Sequence, residues 1–137
     1  MSELSKSYCY CTNLRRSAKA ITNHYDAALK ETGLSVSQYY LLCNLSRKEK
    51  LNITHWAEYV GLDRSTMVRN VKLLLAHDFI EEADGHGKTF TLSEKGTQTL
   101  KKASLLWDKA QKDMEQFLGK EDAEAILRIG SKLQELE

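Results

Sequence analysis

The sequence predicts a mainly α-helical fold with a small β-hairpin, and three observations support that prediction. The 137 residues include no proline, and apolar residues recur at steps of three and four in the longer segments. Residues 53–79 read as two helices joined by a tight turn. Two short β-prone runs around a Gly-rich tip follow directly, within residues 79–92, which indicates a hairpin. We therefore expect one domain.

Composition limits the class of protein. The chain is long enough to bury a core of its own, and it has neither an apolar run of membrane-spanning length nor a secretory signal pattern. Three cysteines without a signal peptide favour a reducing, cytoplasmic setting over a disulfide framework. The net charge is +1, so any case for nucleic acid must rest on where the charges lie.

The first part of the chain predicts two helices. The first runs from about residue 8 to residue 31 and ends near Gly33, which suits the position after a helix C-terminus. The second covers about residues 36–47, with Ser35 or Ser37 as its N-cap. After a polar loop, residues 51–53 are expected to add a short strand to the hairpin.

The central motif predicts a helix at about residues 54–60 and another at about residues 64–77. Gly61 can adopt the positive φ that ends the first helix, and Asp63 can accept hydrogen bonds from the first turn of the second. Ala57 is small enough to let the two helices approach closely. This spacing is typical of a helix-turn-helix.

The second helix of the motif has two unlike faces. Its apolar side consists of Met67, Val71, Leu74 and Leu75. The opposite side carries hydroxyls and cations, and residues 64–77 contain no acid although 19 of the 137 residues are acidic. Such a face suits the DNA major groove, where arginine can pair with guanine and hydroxyls can reach phosphates. The alternative is the solvated face of a helix in a bundle.

The last part of the chain predicts two further helices, at about residues 93–118 and 121–137. In the first of these, apolar residues repeat at alternating steps of three and four, as in a coiled-coil seam: Leu100, Ala103, Trp107, Ala110, Met114 and Phe117. A helix-turn-helix with its hairpin closes its own core, so these stripes need another partner. A second copy of the chain predicts a two-fold dimer; the alternative is a monomer whose long helix folds back.

Three segments carry a family resemblance. Residues 62–69 (LDRSTMVR), 92–96 (LSEKG) and 34–42 (LSVSQYYLL) resemble the MarR family of bacterial winged helix-turn-helix transcription regulators. The resemblance implies a mainly α fold with a small β wing, flanked by N- and C-terminal dimerisation helices. Residues 34–92 would form the DNA-binding lobe, and residues 8–33 and 93–137 the dimerisation region of a single 137-residue domain.

The resemblance also implies a function. The chain would be a homodimeric regulator, a repressor, that binds a pseudo-palindromic double-stranded DNA operator and is released by a small phenolic or aromatic ligand. The expected DNA-binding residues are Arg64, Ser65, Thr66, Arg69, Lys72, His86 and Lys88. The wing departs from the family because its tip is short and lacks arginine, which favours phosphate contact alone. Tyr39, Tyr40 and Trp56 are candidates for the ligand pocket, although core packing explains them as well.

Two alternatives remain open. Cys11 lies near the start of the first helix, where the helix dipole and Arg15 favour a thiolate, and its position resembles that of the reactive cysteine in the organic-hydroperoxide-sensing branch of the family. Tyr25 matches one tyrosine that holds the thiol there. The other interpretation is that Cys11 is a small apolar residue buried at a dimer interface. An alternative of another class is a helical protein-interaction module that does not bind DNA.

The sequence gives no support to an enzyme. It contains no nucleophile motif, no Gly-rich phosphate loop and no paired carboxylates, and its cysteines and histidines lack the spacing of metal ligands. We therefore expect no catalytic residues, no metal and no cofactor.

Overall fold

The computed structural model describes residues 8–85 and 87–137. This part of the chain forms six α-helices and three short strands, in the order α1 (Tyr10–Leu29), α2 (Val36–Lys48), β1 (Leu51–Asn52), α3 (Ile53–Val60), α4 (Arg64–Ala76), β2 (Ile80–Glu82), β3 (Thr89–Leu92), α5 (Glu94–Leu118) and α6 (Lys120–Gln134). The predicted fold class, mainly α with a small β wing, is confirmed. Helix boundaries agree with the predicted ones to within about three residues.

Polar side chains fix the starts of several helices. Ser35 forms a capping box with Gln38: Ser35 Oγ accepts from the Gln38 N–H at 3.1 Å, and Gln38 Oε1 accepts from the Ser35 N–H at 2.9 Å. Asn52 caps α3, because its Oδ1 accepts from the backbone N–H of His55 at 2.7 Å. These caps satisfy N–H groups that have no partner inside the helix, so they set where each helix begins.

The three strands form one antiparallel sheet in the order β1-β3-β2. Phe90 at the centre of the sheet pairs with Leu51 on one side and with Glu82 on the other, and its side chain is buried. The predicted extra strand is confirmed as residues 51–52. The sheet places the hairpin beside the helix-turn-helix.

The core lies between α2, α3, α4 and the sheet. Its largest fully buried apolar side chains are Leu29, Leu41, Leu42, Leu45, Trp56, Met67 and Leu74. The first half of α5 closes this core with Leu100 and Ala103. The prediction that the helix-turn-helix and hairpin close their own core was therefore wrong, because these two residues of the predicted seam pack within the chain. Residues 34–92 therefore pack around a shared interior and hold α4 against a rigid support.

The second half of α5 and all of α6 lie outside that core. No residue of α6 is buried, and Phe117 and Leu127 are 84% and 73% exposed. Within the described part of the chain, no helix combines the length and the apolar character that a bilayer-spanning segment needs. Apolar side chains at the end of α5 and along α6 are thus left uncovered in a single chain.

Candidate DNA-binding interface and neighbouring cavities

The turn between α3 and α4 has the predicted geometry. Gly61 has a φ of 75°, in the left-handed region that favours glycine. The Leu62 N–H donates to the Ala57 carbonyl at 2.9 Å, and Ala57 is buried where the two helices meet. Asp63 then caps α4, because its Oδ1 accepts from the Thr66 N–H at 2.7 Å.

The two faces of α4 also match the sequence pattern. Met67, Val71 and Leu74 are buried in the core, whereas Arg69 and Lys72 are exposed on the opposite side. Asp63 is the N-cap, and the helix itself carries no acidic residue. The exposed face of α4 is therefore a surface of hydroxyls and cations, supported from behind by apolar contacts.

Hydrogen bonds order the start of this face. Ser65 Oγ donates to Asp63 Oδ1 at 3.0 Å, and Arg69 Nη2 approaches Thr66 Oγ1 at 3.4 Å. Hydrogen bonds from Thr66 and then from Ser65 hold the pKa of the Asp63 carboxyl below its usual range. Asp63 therefore stays ionised as a cap, and its charge complements the positive end of the helix dipole.

The wing presents charges of both signs. Lys88 is exposed as predicted, and His86 lies outside the described residues. Asp84 Oδ2 accepts from Thr89 Oγ1 at 2.6 Å, and its Oδ1 lies 3.9 Å from Lys50 Nζ. Sequence reasoning did not predict that Lys50 lies beside the wing, because that position depends on the pairing of β1 with β3.

A cavity of about 480 Å³ lies between α2 and α5. Two of the three aromatic residues predicted for a ligand pocket, Tyr39 and Tyr40, line it. The third, Trp56, is fully buried in the core of the lobe and does not line this cavity. Trp107 of α5 supplies the other aromatic wall, and its side chain was predicted only as part of the helix seam.

Polar groups complete this cavity. Sequence reasoning missed Ser37, Cys43 and Arg47, which lie on α2 at helical spacing with Tyr40 and face the same space. Burial raises the pKa of the Cys43 thiol, and it raises the pKa of Tyr39 to about 12. The cavity thus has apolar aromatic walls, neutral hydroxyl and thiol groups, and one cation.

Three aromatic rings connect this cavity with α1. The rings of Tyr39 and Trp107 are stacked with centroids 6.1 Å apart, and the centroid of the Tyr25 ring on α1 lies 6.4 Å from that of Trp107. Tyr39 Oη donates to Ser104 Oγ at 3.2 Å, and Tyr25 Oη donates to Gln111 Oε1. Both tyrosines are therefore held by α5 within one turn or so of Trp107.

A second, larger cleft of about 620 Å³ lies among α1, α5 and α6. Most of its lining is apolar and includes Ile21, Met114, Leu118, Ile126 and Leu127. This cleft joins the apolar stripes that α5 and α6 leave uncovered.

The N-terminal cysteines differ from each other in position. Helix α1 begins two residues later than predicted, so Cys9 is its N-cap residue and Cys11 lies in its first turn. Both thiols are exposed in the single chain and neither is in a disulfide. Burial of Cys11 at a dimer interface stays a prediction. Hydrogen bonds with the side chain and backbone of Thr12 lower the pKa of the Cys9 thiol.

No family model matches the chain. The HTH-type transcriptional regulators SarZ of Staphylococcus epidermidis and Staphylococcus aureus are 34% identical to it over 99 residues. That segment covers 69% of this chain and 66% of the length of each relative.

Solved structures of similar fold were also found. The transcriptional regulator MosR of M. tuberculosis, in a structure with DNA, is 25% identical, with a TM-score of 0.77 over 94% of this chain and 98% of that one. The transcriptional repressor CouR bound to p-coumaroyl-CoA is 21% identical, with a TM-score of 0.86 over 98% of this chain and 96% of that one. At this identity the similarity establishes a shared fold and nothing about function. These matches are transcription regulators and not enzymes, in agreement with the motifs that the sequence lacks.

Proposed function

Because this chain belongs to the MarR family of winged helix-turn-helix transcription regulators, we propose that it is a homodimeric repressor that binds a pseudo-palindromic DNA operator. The observation that carries the proposal is the exposed face of α4, which has cations and hydroxyls, no acid, and a rigid apolar support. A basic helix of this kind fits the major groove, whose width admits an α-helix. The structure of MosR with DNA supports the same use of the fold.

The proposed contacts divide into two groups. Ser65, Thr66 and Arg69 lie on the N-terminal half of α4 and are assigned to bases or to the phosphates next to them, because recognition helices read bases with their N-terminal residues. The groups assigned to phosphate anchoring are Arg64, Lys72, His86 and Lys88. Phosphate contacts fix the register of the protein on the duplex, and base contacts give its specificity.

The proposed dimer uses the apolar cleft among α1, α5 and α6. A single chain leaves this cleft and the exposed side chains of Phe117 and Leu127 open to water, and a second copy would cover them. A two-fold axis in this region presents two α4 helices to successive major grooves, roughly 34 Å apart.

The proposed regulatory site is the cavity between α2 and α5. Stacked aromatic walls suit a flat aromatic ring, and Arg47 suits an acidic or phenolic oxygen at its edge. CouR, which shares this fold, has a structure bound to p-coumaroyl-CoA, a thioester that carries a phenolic ring. In the dimer, the distance between the two DNA-binding lobes (residues 34–92 of each copy) decides whether both reach DNA. A ligand that binds better to another distance shifts the population away from the DNA-binding arrangement.

Selection from a pool of random-sequence duplexes tests the proposal. We expect the enriched sequences to contain two inverted half-sites with centres about 10–11 base pairs apart. A matched pool selected with an Arg69→Ala variant should lose enrichment at positions inside the half-sites. Enrichment of single, unpaired sites, or of none, would contradict a dimeric operator-binding protein.

A second candidate function is redox sensing, and the exposed N-terminal thiols favour it. Attack of a cysteine thiolate on a hydroperoxide gives a sulfenic acid and releases an alcohol. Cys11→Ser should keep DNA binding and abolish release by cumene hydroperoxide. Loss of release in Cys9→Ser alone would assign the chemistry to the thiol whose pKa is lowered, and would contradict the assignment to Cys11.

A further inference from the structure

Arg64, the first residue of α4, lies where a cation is unfavourable. The N–H groups at a helix N-terminus carry partial positive charge, so arginine at this place needs support from elsewhere. Neither α3 nor α4 has an acidic residue in its first turn, and the N-cap carboxylate of Asp63 accepts hydrogen bonds from Thr66 and Ser65. Among residues 8–85 and 87–137, no carboxylate forms an ion pair with this guanidinium.

The support comes from the other helix of the motif. Arg64 Nη1 donates to Thr54 Oγ1 at 2.7 Å. Thr54 lies in the first turn of α3, and the Asn52 cap fixes where that helix begins. As a β-branched residue in a helix, threonine has few rotamers for its hydroxyl. The contact therefore ties the arginine at the start of α4 to a rigid point on α3.

This contact leaves most of the guanidinium available. Arginine has five N–H donors, and the bond to Thr54 uses one of them. Both side chains are exposed on the surface that carries the proposed phosphate contacts. A long side chain loses rotamer freedom when it binds, so an arginine that is already oriented loses less.

We propose that Thr54 is a positioning residue for DNA binding, which holds Arg64 in the orientation that meets a DNA phosphate. This inference rests on the proposed function and adds to it a residue outside the recognition helix. Thr54 carries no charge, and it acts through the guanidinium that its hydroxyl orients.

Double-mutant analysis of DNA affinity tests this role. The duplex is the sequence selected by the wild-type protein, and Kd is measured by fluorescence anisotropy across a salt series. Thr54→Val removes the hydroxyl and keeps the shape, so we expect Kd to rise about two- to ten-fold. Thr54→Ser keeps a hydroxyl and should stay within about two-fold of wild type. The slope of log Kd against log salt should remain that of wild type in both, because no charge is lost.

Arg64→Ala provides the second arm of the experiment. It should raise Kd and reduce the salt slope by about one, as expected for one lost phosphate contact. Adding Thr54→Val to Arg64→Ala should change nothing further, because the threonine has no arginine left to orient. Melting curves and the dimer state of each variant show whether it is folded.

Several outcomes would overturn the inference. Additive losses in the double variant would mean that Thr54 contacts DNA itself, and an unchanged Kd in Thr54→Val would mean that the hydrogen bond has no role. If the wild-type protein binds the duplex and Arg64→Ala binds it with the same Kd, this inference fails and the proposed function stands. Wild-type protein without salt-dependent affinity for the duplex would remove the proposed function as well.

Discussion

Gly96, in the first turn of α5, lies against the backbone of Phe79. A Cβ atom at this position would come within 1.9 Å of the Phe79 carbonyl oxygen. The same carbonyl accepts from the Ser93 N–H at 3.1 Å, and Ser93 Oγ donates to the Asp78 carbonyl at 2.5 Å. The start of α5 is therefore fastened to the segment between α4 and β2, and only glycine leaves room for that contact.

We predict that Gly96→Ala destabilises the protein by about 1–3 kcal/mol, although alanine is the better helix former. Gly130→Ala is the matched control, because Gly130 is helical and has open space around its missing Cβ. That control should be neutral or stabilising by up to about 1 kcal/mol. Urea unfolding of both variants checks the prediction, and equal effects at the two glycines would contradict it.

At the scale of elements, local signals made the helix-turn-helix predictable. The cap at Asp63, the turn at Gly61 and the apolar side of α4 all depend on neighbours within four residues, which the sequence shows directly. The cavity was predicted only in part. Trp107 joins Tyr39 through tertiary packing of distant segments, and the sequence does not reveal which of two tryptophans enters the lobe core.

The wing carries an electrostatic feature that opposes DNA. Glu81 and Glu82 are exposed on β2, and Asp84 follows at the tip with Lys50 and Thr89 as its partners. Carboxylates near phosphates repel them, and the repulsion reaches about one Debye length, roughly 8–10 Å at physiological salt. On the proposed function, we therefore expect the wing to lower the affinity that the cations of α4 provide.

We predict that Glu81→Gln combined with Glu82→Gln tightens DNA binding, by about two- to five-fold at 0.1 M salt. The gain should shrink as salt rises. Glu135→Gln combined with Glu137→Gln, after the last turn of α6, is the control with the same change in net charge and should have no such effect. Anisotropy titrations at several salt concentrations measure this, and unchanged affinity in the double variant would show that the wing stays away from DNA.

At the scale of the whole molecule, the uncovered apolar surface supports the proposed second copy. The cleft among α1, α5 and α6 is lined by the exposed Ile126 and Leu127 of α6, and Ile129 and Leu133 of the same helix are also exposed. Tyr25 lines this cleft and also packs on Trp107, which lines the cavity on the other side. The proposed dimer region and the proposed ligand site are therefore connected through the rings of Tyr25 and Trp107, which are tilted by 33° with centroids 6.4 Å apart.

We predict that Leu127→Glu converts the dimer to a monomer, because it places a charge in the covered cleft. DNA affinity should fall by a factor of about 10² or more, since each chain then binds one half-site without its partner. Gln98→Glu, an exposed position on α5, is the control with the same change in charge. Sedimentation equilibrium gives the mass, and a Leu127→Glu variant that stays dimeric would contradict the proposed interface.

Recognition of DNA by α4 is tested most directly by fluorescence anisotropy of a labelled operator duplex. The titration compares wild-type and Arg69→Ala protein across a salt series. We predict a steep fall of wild-type affinity with salt. On the selected site, Arg69→Ala should lose about 1–3 kcal/mol, and its loss on a scrambled duplex should be much smaller. Equal affinities of the two proteins, or binding that is weak and independent of salt, would contradict the claim and favour a protein-interaction module.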